Sequence, residues 1–374
     1  MPERQLVTLE VRPGTAMESQ SGLQMLAPRI FGAISHPQGP RRVAAIVMHP
    51  TSNFMNHYLI DPLALRGIGC MGLNSRYAGS DTTLLMERVI QDLGAGVRYL
   101  RAQGYEKVIL IGNSGGAALV SFYQAQAENL TVTQTAAGDA IDLRAEDLPL
   151  CDGIVLCAAH AGRSRLFKEW IDPSVIDEAD PLATDPALDV YDPRNGAPFS
   201  LEFLDRFAAA QVRRRDAIEN RVLARLRLLR DNPNGPQDMA FCIYRTHADP
   251  RMVDLSLDAN DRAAGSIWGD PRLVNSAANA MGRFTTLTAF LSQWSSRSQA
   301  DGPDNLAQTS VPVMFFEYSG DASTFPSTAR LWAEAGGDRM QALRIIGGNH
   351  YLARQPALVE EVADTIANWL NAVA

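Results

Sequence analysis

The chain has 374 residues, of which 46% are hydrophobic and 20% are charged, and its formal net charge is −8. This composition is ordinary for a globular protein with a hydrophobic core. The length fits two average domains or one large α/β domain with an insertion. The acidic balance argues against a nucleic-acid partner, because phosphate binding requires a basic surface.

Neither a secretion signal nor a membrane span is predicted. The opening residues, MPERQLVTLEV, contain no apolar signal core, and no stretch reaches the ~18 uninterrupted apolar residues that cross a bilayer. The cysteines, Cys70, Cys151, Cys157 and Cys242, lack CxxC or zinc spacing, so reduced structural thiols are expected. We therefore expect a cytoplasmic protein without a metal or cofactor, and the sequence leaves a homodimer open.

The first part of the chain alternates between predicted strands and helices. Strands are expected at residues 5–12, 29–35, 41–50, 70–81, in the VILI run after Lys107, and at 151–162. A polar turn separates the first two strands. Apolar residues at helical spacing predict a helix over residues 83–104, and small residues predict another after Gly116. Because the strands are apolar throughout, the pattern indicates a mostly parallel central sheet flanked by helices.

Residues 163–304 differ in character from the chain on either side. Asp-Pro pairs, beginning at Asp172-Pro173, prevent long regular elements locally. Two helical runs are nevertheless predicted, over Leu201–Arg230 and Asn275–Trp294. The sheet pattern returns in VPVMFFEYSGD and MQALRIIGGNH, with helices near residues 327–336 and 357–373. We therefore predict a core of residues 1–162 and 305–374 and an inserted, mainly helical cap of residues 163–304.

The stretch Gly112-Asn113-Ser114-Gly115-Gly116 joins a predicted strand to a predicted helix. A phosphate-binding loop would continue with lysine, and a dinucleotide fingerprint would have glycine in place of Ser114. The G-x-S-x-G pattern alone arises by chance. In a sharp strand-to-helix turn, however, it lifts the serine side chain clear of the sheet. This context predicts that Ser114 is a nucleophile.

A serine nucleophile needs a base, and His350 is the candidate. His350 follows an apolar strand, and Asp321 follows the strand before it. Carboxyl ends of parallel strands meet at one edge of a sheet, so both are expected near Ser114. The chain order Ser114, Asp321, His350 is the one this hydrolase architecture uses. Asp321 would orient His350, with Glu317 as the alternative acid.

The second requirement is a pair of donors for a developing oxyanion. The residue after the nucleophile, Gly115, provides one backbone N–H. The other is expected from the loop after the third strand. Pro50 has no N–H, so Thr51 is the candidate, with Ser52 as the alternative.

Several further residues could line a substrate pocket. His49 and His160 end strands, whereas His36 and His57 are interpreted as surface positions. In the insertion, Arg245 and Arg251 could bind a substrate carboxylate, and Trp268 could form an apolar wall. Internal Asp–Arg pairs and ordinary packing explain these insertion residues as well.

The motifs HPT, GNSGG, SGD and GGNH, in this order along the chain, resemble those of the α/β-hydrolase superfamily. The resemblance is to its serine-nucleophile, esterase-like members with a large helical cap, and it covers roughly residues 43–160 and 305–372. One departure is His49-Pro50, where many members have His-Gly. The resemblance implies acyl-transfer chemistry on a small-molecule substrate, without naming that substrate.

The expected activity is hydrolysis of a small carboxylic ester, thioester or lactone through an acyl-enzyme on Ser114. Two alternatives use the same three residues: transfer of the acyl group to another acceptor, and cleavage of a carbon–carbon bond beside a carbonyl. A third keeps the fold as a ligand-binding module without catalysis.

Overall fold

The structure is a computed structural model that describes residues 4–14, 28–278 and 280–373. The polar turn predicted between the first two strands falls mostly on residues outside these ranges. The strands are β1 (Arg4–Glu10), β2 (Arg29–Ser35), β3 (Val43–His49), β4 (Ile68–Asn74), β5 (Lys107–Asn113), β6 (Gly153–Cys157), β7 (Val175–Asp177), β8 (Asp180–Thr184), β9 (Ala240–Cys242), β10 (Phe284–Thr286), β11 (Val313–Tyr318) and β12 (Met340–Ile345). The α-helices are α1 (Ile60–Leu65), α2 (Met86–Ala102), α3 (Gly116–Glu128), α4 (Arg163–Trp170), α5 (Leu201–Arg230), α6 (Pro271–Ser276), α7 (Leu287–Gln293), α8 (Gly302–Leu306), α9 (Pro326–Gly336) and α10 (Pro356–Val373).

Eight strands form the central sheet in the order β1-β2-β4-β3-β5-β6-β11-β12. Strand β2 is antiparallel to both neighbours, and every other adjacent pair is parallel. The mostly parallel sheet predicted from the sequence is therefore confirmed. Because β3, β5, β6, β11 and β12 run in the same direction, their carboxyl ends lie along one edge, which we call the sheet edge.

Helices cover both faces of this sheet, which explains why its strands are apolar throughout. On one face, Val89 of α2, Phe122 of α3 and Trp332 of α9 join the larger hydrophobic cluster. On the other face, Leu63 of α1 and Ile366 of α10 join the second. Each large side chain buried in this way contributes about 1.5–3 kcal/mol. The sheet is therefore a rigid platform for residues at its edge.

Residues 163–304, here called the insertion, leave the sheet after β6 and return before β11. None of the described strands of the insertion joins the central sheet; they form two small two-stranded antiparallel sheets, β7–β8 and β9–β10. Helix α5 spans Leu201–Arg230, as predicted, and packs Ile218 and Val222 against Phe290 of α7. The insertion thus has a hydrophobic cluster of its own.

The predicted helix over Asn275–Trp294 is wrong. Helix α6 ends at Ser276, and residues 284–286 instead pair with β9 as a strand. The Thr286 side chain then accepts a bond from the Ala289 N–H and begins α7. Strand pairing and this cap together outweigh the helical spacing of the apolar residues.

All four cysteines are free thiols, and Cys70, Cys151 and Cys157 are buried. Burial raises the pKa of the Cys157 thiol to about 12, so it behaves as a small apolar group. Among the described residues, no helix combines the length and apolar character needed to cross a bilayer.

Candidate active site

Ser114 occupies a strained turn between β5 and α3. Its φ of +58° is in the left-handed region, which typically costs a non-glycine residue about 1–3 kcal/mol. The Ser114 N–H donates to the carbonyl of Cys157 at 3.1 Å, and its own carbonyl accepts from the His160 N–H at 3.2 Å. These bonds to the end of the neighbouring strand hold the conformation. Ser114 therefore stands at the sheet edge, as its sequence context predicted.

The glycines after Ser114 are needed for space. A Cβ on Gly116 would collide with the carbonyl of Met48 in β3. A Cβ on Gly115 would lie 2.9 Å from His49 Nε2. The backbone of Gly115 is helical, with φ −62° and ψ −13°, so its conformation does not require glycine. The imidazole of His49 is what occupies the place of a side chain there.

Asp321 and His350 are paired at the same edge. The His350 Nδ1–H donates to Asp321 Oδ2 at 2.7 Å, and both side chains are almost completely buried. The carboxylate also accepts from the Ser323 N–H at 2.7 Å and the Thr324 hydroxyl at 2.6 Å. Burial alone would raise the pKa of Asp321, but His350 and these hydrogen bonds hold it below its usual value. Asp321 is therefore an ionised acceptor that fixes the His350 ring.

The other nitrogen of His350, Nε2, is buried and has no hydrogen-bond partner among the described residues. The Ser114 side chain interacts instead with the hydroxyl of Tyr351. The Ser114–His350 hydrogen bond of a working triad is thus not formed in this structure. Catalytic hydrogen bonds are often loose before substrate binds, so the absence of this bond does not exclude Ser114 and His350 as partners in proton transfer.

His49 organises the loop after β3. Its Nδ1 accepts the N–H of Thr51 at 3.1 Å and the N–H of Ser52 at 2.9 Å. Thr51 and Ser52 were the predicted sources of the second oxyanion donor. In this structure both N–H groups are already donated to an imidazole, so this prediction needs correction. The chain turns back on His49 after Pro50, which directs these donors towards the ring.

The expectation that His57 lies on the surface is wrong. His57 is buried, its Nδ1 accepts the Leu59 N–H at 3.3 Å, and its Nε2–H donates to Asn113 Oδ1 at 2.9 Å. The Asn113 amide in turn donates to the carbonyl of Cys157 at 3.0 Å. Burial lowers the pKa of His57 to about 4, although the bond to Asn113 opposes this. A neutral histidine therefore supports the residue that precedes the nucleophile.

A path of aromatic rings leads from His350 into the insertion. The His160 ring lies 5.5 Å from that of His350 and 5.8 Å from that of Trp170. Trp170 packs against His247 at 4.9 Å and Trp268 at 5.6 Å. His160 also shares a 3.0 Å hydrogen bond with Ser323 beside the acid. Of the predicted pocket residues, His160 therefore lies beside His350, and the half-exposed Trp268 lies at the far end of this path.

The two predicted carboxylate-binding arginines are occupied by internal ion pairs. Arg245 contacts the buried Asp172 at 2.6 Å and Asp189 at 3.0 Å. Arg251 contacts Glu169 and Asp249, each at 2.6 Å, and lies over the Phe325 ring at 4.2 Å. The internal pairing that the sequence left open is what the structure shows, so neither arginine is presented to a ligand.

Sequence reasoning missed Arg163, which ties the insertion to the loop after β3. This buried arginine donates to Thr51 Oγ1 at 2.8 Å and to Asp81 at 3.2 Å. It also lies over the Trp294 ring at 4.9 Å. Its position directly after the predicted strand at residues 151–162 was the only signal available, and it does not distinguish Arg163 from a structural arginine.

The insertion also supports the loop that carries the acid. The Asn260 side chain donates to the Asp321 carbonyl at 2.9 Å, and the Asp261 N–H donates to the carbonyl of Ser319 at 2.7 Å. Among the residues that the structure describes, no group of three or more His, Cys, Asp or Glu side chains is arranged to hold a metal. The site therefore offers a serine, a histidine, a carboxylate and directed N–H groups.

The strand order and the strained strand–serine–helix turn are those of the α/β-hydrolase fold. No protein-family model matches the sequence, and no curated protein is detectably similar to it. The esterase domain of a Rhodothermus marinus protein is 12% identical over 100% of both chains, with a TM-score of 0.49. A monoacylglycerol lipase from Paleococcus ferrophilus is 14% identical, covering 92% of this chain and 99% of its own, with a TM-score of 0.46. A Pyrobaculum calidifontis esterase is 13% identical, covering 100% of this chain and 86% of its own, also at 0.46.

Proposed function

We propose that the protein is a serine hydrolase that cleaves a small carboxylic ester, thioester or lactone through an acyl-enzyme on Ser114. The observation that carries this proposal is the 2.7 Å pair of His350 and Asp321 beside a strained serine. Only one nitrogen of His350 is occupied, and the other is the group that a general base would use. Asp321 holds the ring in the tautomer with Nδ1 protonated, which leaves Nε2 as the acceptor.

The acylation step follows from these positions. Ser114 Oγ attacks the substrate carbonyl carbon, its proton moves to His350 Nε2, and the carbonyl π electrons move to oxygen. Collapse of the tetrahedral intermediate re-forms the carbonyl and breaks the bond to the leaving group. The leaving oxygen or sulfur takes the proton from His350 Nε2, and Asp321 stabilises the imidazolium in between.

Deacylation repeats the sequence with water. His350 Nε2 accepts a proton from the water that attacks the acyl-enzyme, and then returns it to Ser114 Oγ as the carboxylic acid leaves. The N-terminus of α3, at Gly116, directs its dipole and the Gly115 N–H towards the developing oxyanion. Ser114 and His350 thus finish in their starting protonation states.

We further propose that the insertion, residues 163–304, forms a cap domain over the candidate active site. Two contacts support this: Asn260 of the insertion donates to the carbonyl of Asp321, and Trp170 of the insertion packs against His160, which in turn lies beside His350. A site covered by a cap domain has limited space and therefore suits a small molecule. The partner that we propose is a small-molecule acyl substrate. Hydrolysis and acyl transfer share the chemistry above and differ in whether water or another acceptor attacks.

The test is covalent labelling with a fluorophosphonate probe. We expect a single adduct on Ser114, located by peptide mass spectrometry, and no adduct in a Ser114→Ala variant that retains the circular dichroism spectrum of the parent. A folded wild-type protein that forms no adduct on Ser114 would overturn the nucleophile assignment. Product analysis of p-nitrophenyl butyrate turnover with and without an added alcohol separates hydrolysis from acyl transfer.

A further inference from the structure

We propose that the His49 side chain is the second oxyanion donor and acts through its Nε2–H. This inference rests on the proposed function and names a catalytic residue that the proposed function leaves open. The starting observation is that residues 50–52, which follow β3, have no backbone N–H free to bind an oxyanion. Pro50 lacks an N–H, and the N–H groups of Thr51 and Ser52 bond to His49 Nδ1.

These two bonds fix the tautomer of His49. A ring nitrogen that accepts N–H bonds at 3.1 and 2.9 Å cannot itself carry a proton. The neutral ring must then carry its proton on Nε2. The two backbone N–H groups that donate to Nδ1 therefore leave the imidazole with one N–H donor of its own, at Nε2 on the opposite side of the ring.

The position of Nε2 places this donor beside the nucleophile turn. Nε2 would lie 2.9 Å from a Cβ on Gly115, closer than any other atom of the ring. Gly115 is the residue whose own N–H is the first oxyanion donor. Since the helical backbone of Gly115 does not require glycine, the absence of a side chain serves to admit the imidazole. The Nε2–H of His49 therefore lies against the residue that follows Ser114 and that provides the other donor.

The surroundings of His49 keep the ring neutral. Burial lowers the pKa of His49 well below its usual value, and Arg163, His160 and His350 lower it further by charge repulsion. A neutral donor suits this place, because His350 becomes an imidazolium during the reaction and a second cation nearby would oppose that change. An uncharged N–H still stabilises an oxyanion strongly in a site from which water is excluded.

Two substitutions separate the donor role from the loop-holding role. In His49→Asn the amide oxygen reaches the position of Nδ1 and keeps the acceptor for the Thr51 and Ser52 N–H groups, but Nε2–H is lost. In His49→Gln the amide N–H reaches the position of Nε2, but the loop acceptor is lost. A role in holding the loop and a role as oxyanion donor therefore predict opposite rankings.

The readout is the second-order rate constant for fluorophosphonate labelling of Ser114, because phosphonylation places a charged oxygen in the same donors whatever the natural substrate is. We expect His49→Asn to lower this rate constant about 10²–10³-fold, the usual effect of removing one oxyanion donor. His49→Gln should stay within about tenfold of wild type, provided that both variants retain the wild-type circular dichroism spectrum. Equal losses in the two variants, or a larger loss in His49→Gln, would overturn the assignment.

Gly115→Ala gives a second test that leaves His49 in place. Its Cβ would displace the imidazole, so labelling should slow even though the backbone N–H of residue 115 remains. Because both changes act on one donor, the double variant with His49→Asn should lose little more than His49→Asn alone. Independent, multiplying losses would contradict the proposal. Wild-type protein that is not labelled at all would overturn the proposed function, and the role of His49 with it; labelling that is equally fast in His49→Asn would overturn His49 alone.

Discussion

The sheet edge and the insertion both bury charged and polar groups, but they satisfy them differently. In the insertion, Arg245 and Arg251 each contact two carboxylates, so their charges are neutralised internally. At the sheet edge, His350 is bonded on one nitrogen only, and its Nε2 is left buried without a partner. An unpaired buried nitrogen normally costs about 1–3 kcal/mol.

The two regions thus differ in whether a buried group has bonding capacity left. Arg245 and Arg251 are fully paired and hold the structure, whereas His350 has one nitrogen that can still accept a proton. Saturated ion pairs fix the geometry of the insertion and have no capacity left for a ligand. In the proposed mechanism, the unpaired Nε2 of His350 is the atom that accepts the proton. The insertion also contains buried side-chain atoms without a partner among the described residues: Trp170 Nε1, Ser174 Oγ, His247 Nε2, Arg283 Nε and Trp294 Nε1. Of these, Trp170 and His247 lie on the ring path that leads to His350. An unpaired nitrogen therefore points to the site only together with a second feature, which at His350 is the carboxylate of Asp321 on the opposite side of the ring.

The largest expected effect comes from replacing Asp321, the hydrogen-bond partner of His350 Nδ1. We expect Asp321→Asn to lower kcat for p-nitrophenyl butyrate about 10⁴-fold, because the amide can donate to Nδ1 and stabilise the wrong tautomer. Stability should change much less than activity. Steady-state kinetics and urea unfolding of the same preparations measure both. A variant that keeps more than about a tenth of wild-type kcat would show that Asp321 does not orient the base.

The reverse pattern is expected in the insertion. Arg245→Met should lower the free energy of unfolding by about 3 kcal/mol, because it leaves the fully buried Asp172 without its ion partner. The chemical step, followed as the labelling rate of folded protein, should be unchanged. Arg194→Met is the matched control, since its pair with Asp192 has an arginine that is 74% exposed; no measurable change in the free energy of unfolding is expected there. An unchanged free energy of unfolding in Arg245→Met would contradict the view that its ion pair with Asp172 stabilises the fold.

The smallest predicted effect concerns pH. The pKa of His57 is about 4 in the folded protein, so between pH 4 and its ordinary value near 6.5 the unfolded chain binds more protons. Folding stability should therefore fall as the pH is lowered through this window, with His57 contributing about 1 kcal/mol per pH unit near pH 5. In His57→Gln the slope of the unfolding free energy against pH should be shallower by that amount.

His36 provides the comparison for this measurement. Burial and Arg41 also lower the pKa of His36, but it is only partly buried, so His36→Gln should change the slope less. Urea unfolding at pH 5.0, 5.5 and 6.0 gives the slopes directly. An identical slope in His57→Gln and wild type would mean that His57 is not held neutral by burial.

Local patterns were enough to predict the central sheet and the residues at the ends of its strands. Ser114, Asp321 and His350 each follow an apolar strand, and parallel strands bring their carboxyl ends together whatever the details of packing. The strand-to-helix turn was equally readable, because glycines around one serine have few other uses. What could be predicted was thus set by chain direction and strand order.

Contacts between distant segments could not be predicted in the same way. The approach of His49 to Gly115, the burial of His57 against Asn113 and the bond from Arg163 to Thr51 all depend on where loops fold back. The insertion shows the same limit, since pairing of β9 with β10 overrode helical spacing near Phe284. Hydrogen bonds across more than a few residues leave no periodic trace in a sequence.

The close approach of His49 to Gly115 also constrains how this turn can evolve. Any side chain at position 115 would collide with the imidazole, and loss of the imidazole would leave an unfilled space beside a glycine. Each single replacement is therefore unfavourable while the other residue stays, whereas an exchange of both at once is not. Positions 49 and 115 should change together in descendants of this chain, with a larger residue after the nucleophile only where the histidine has been lost.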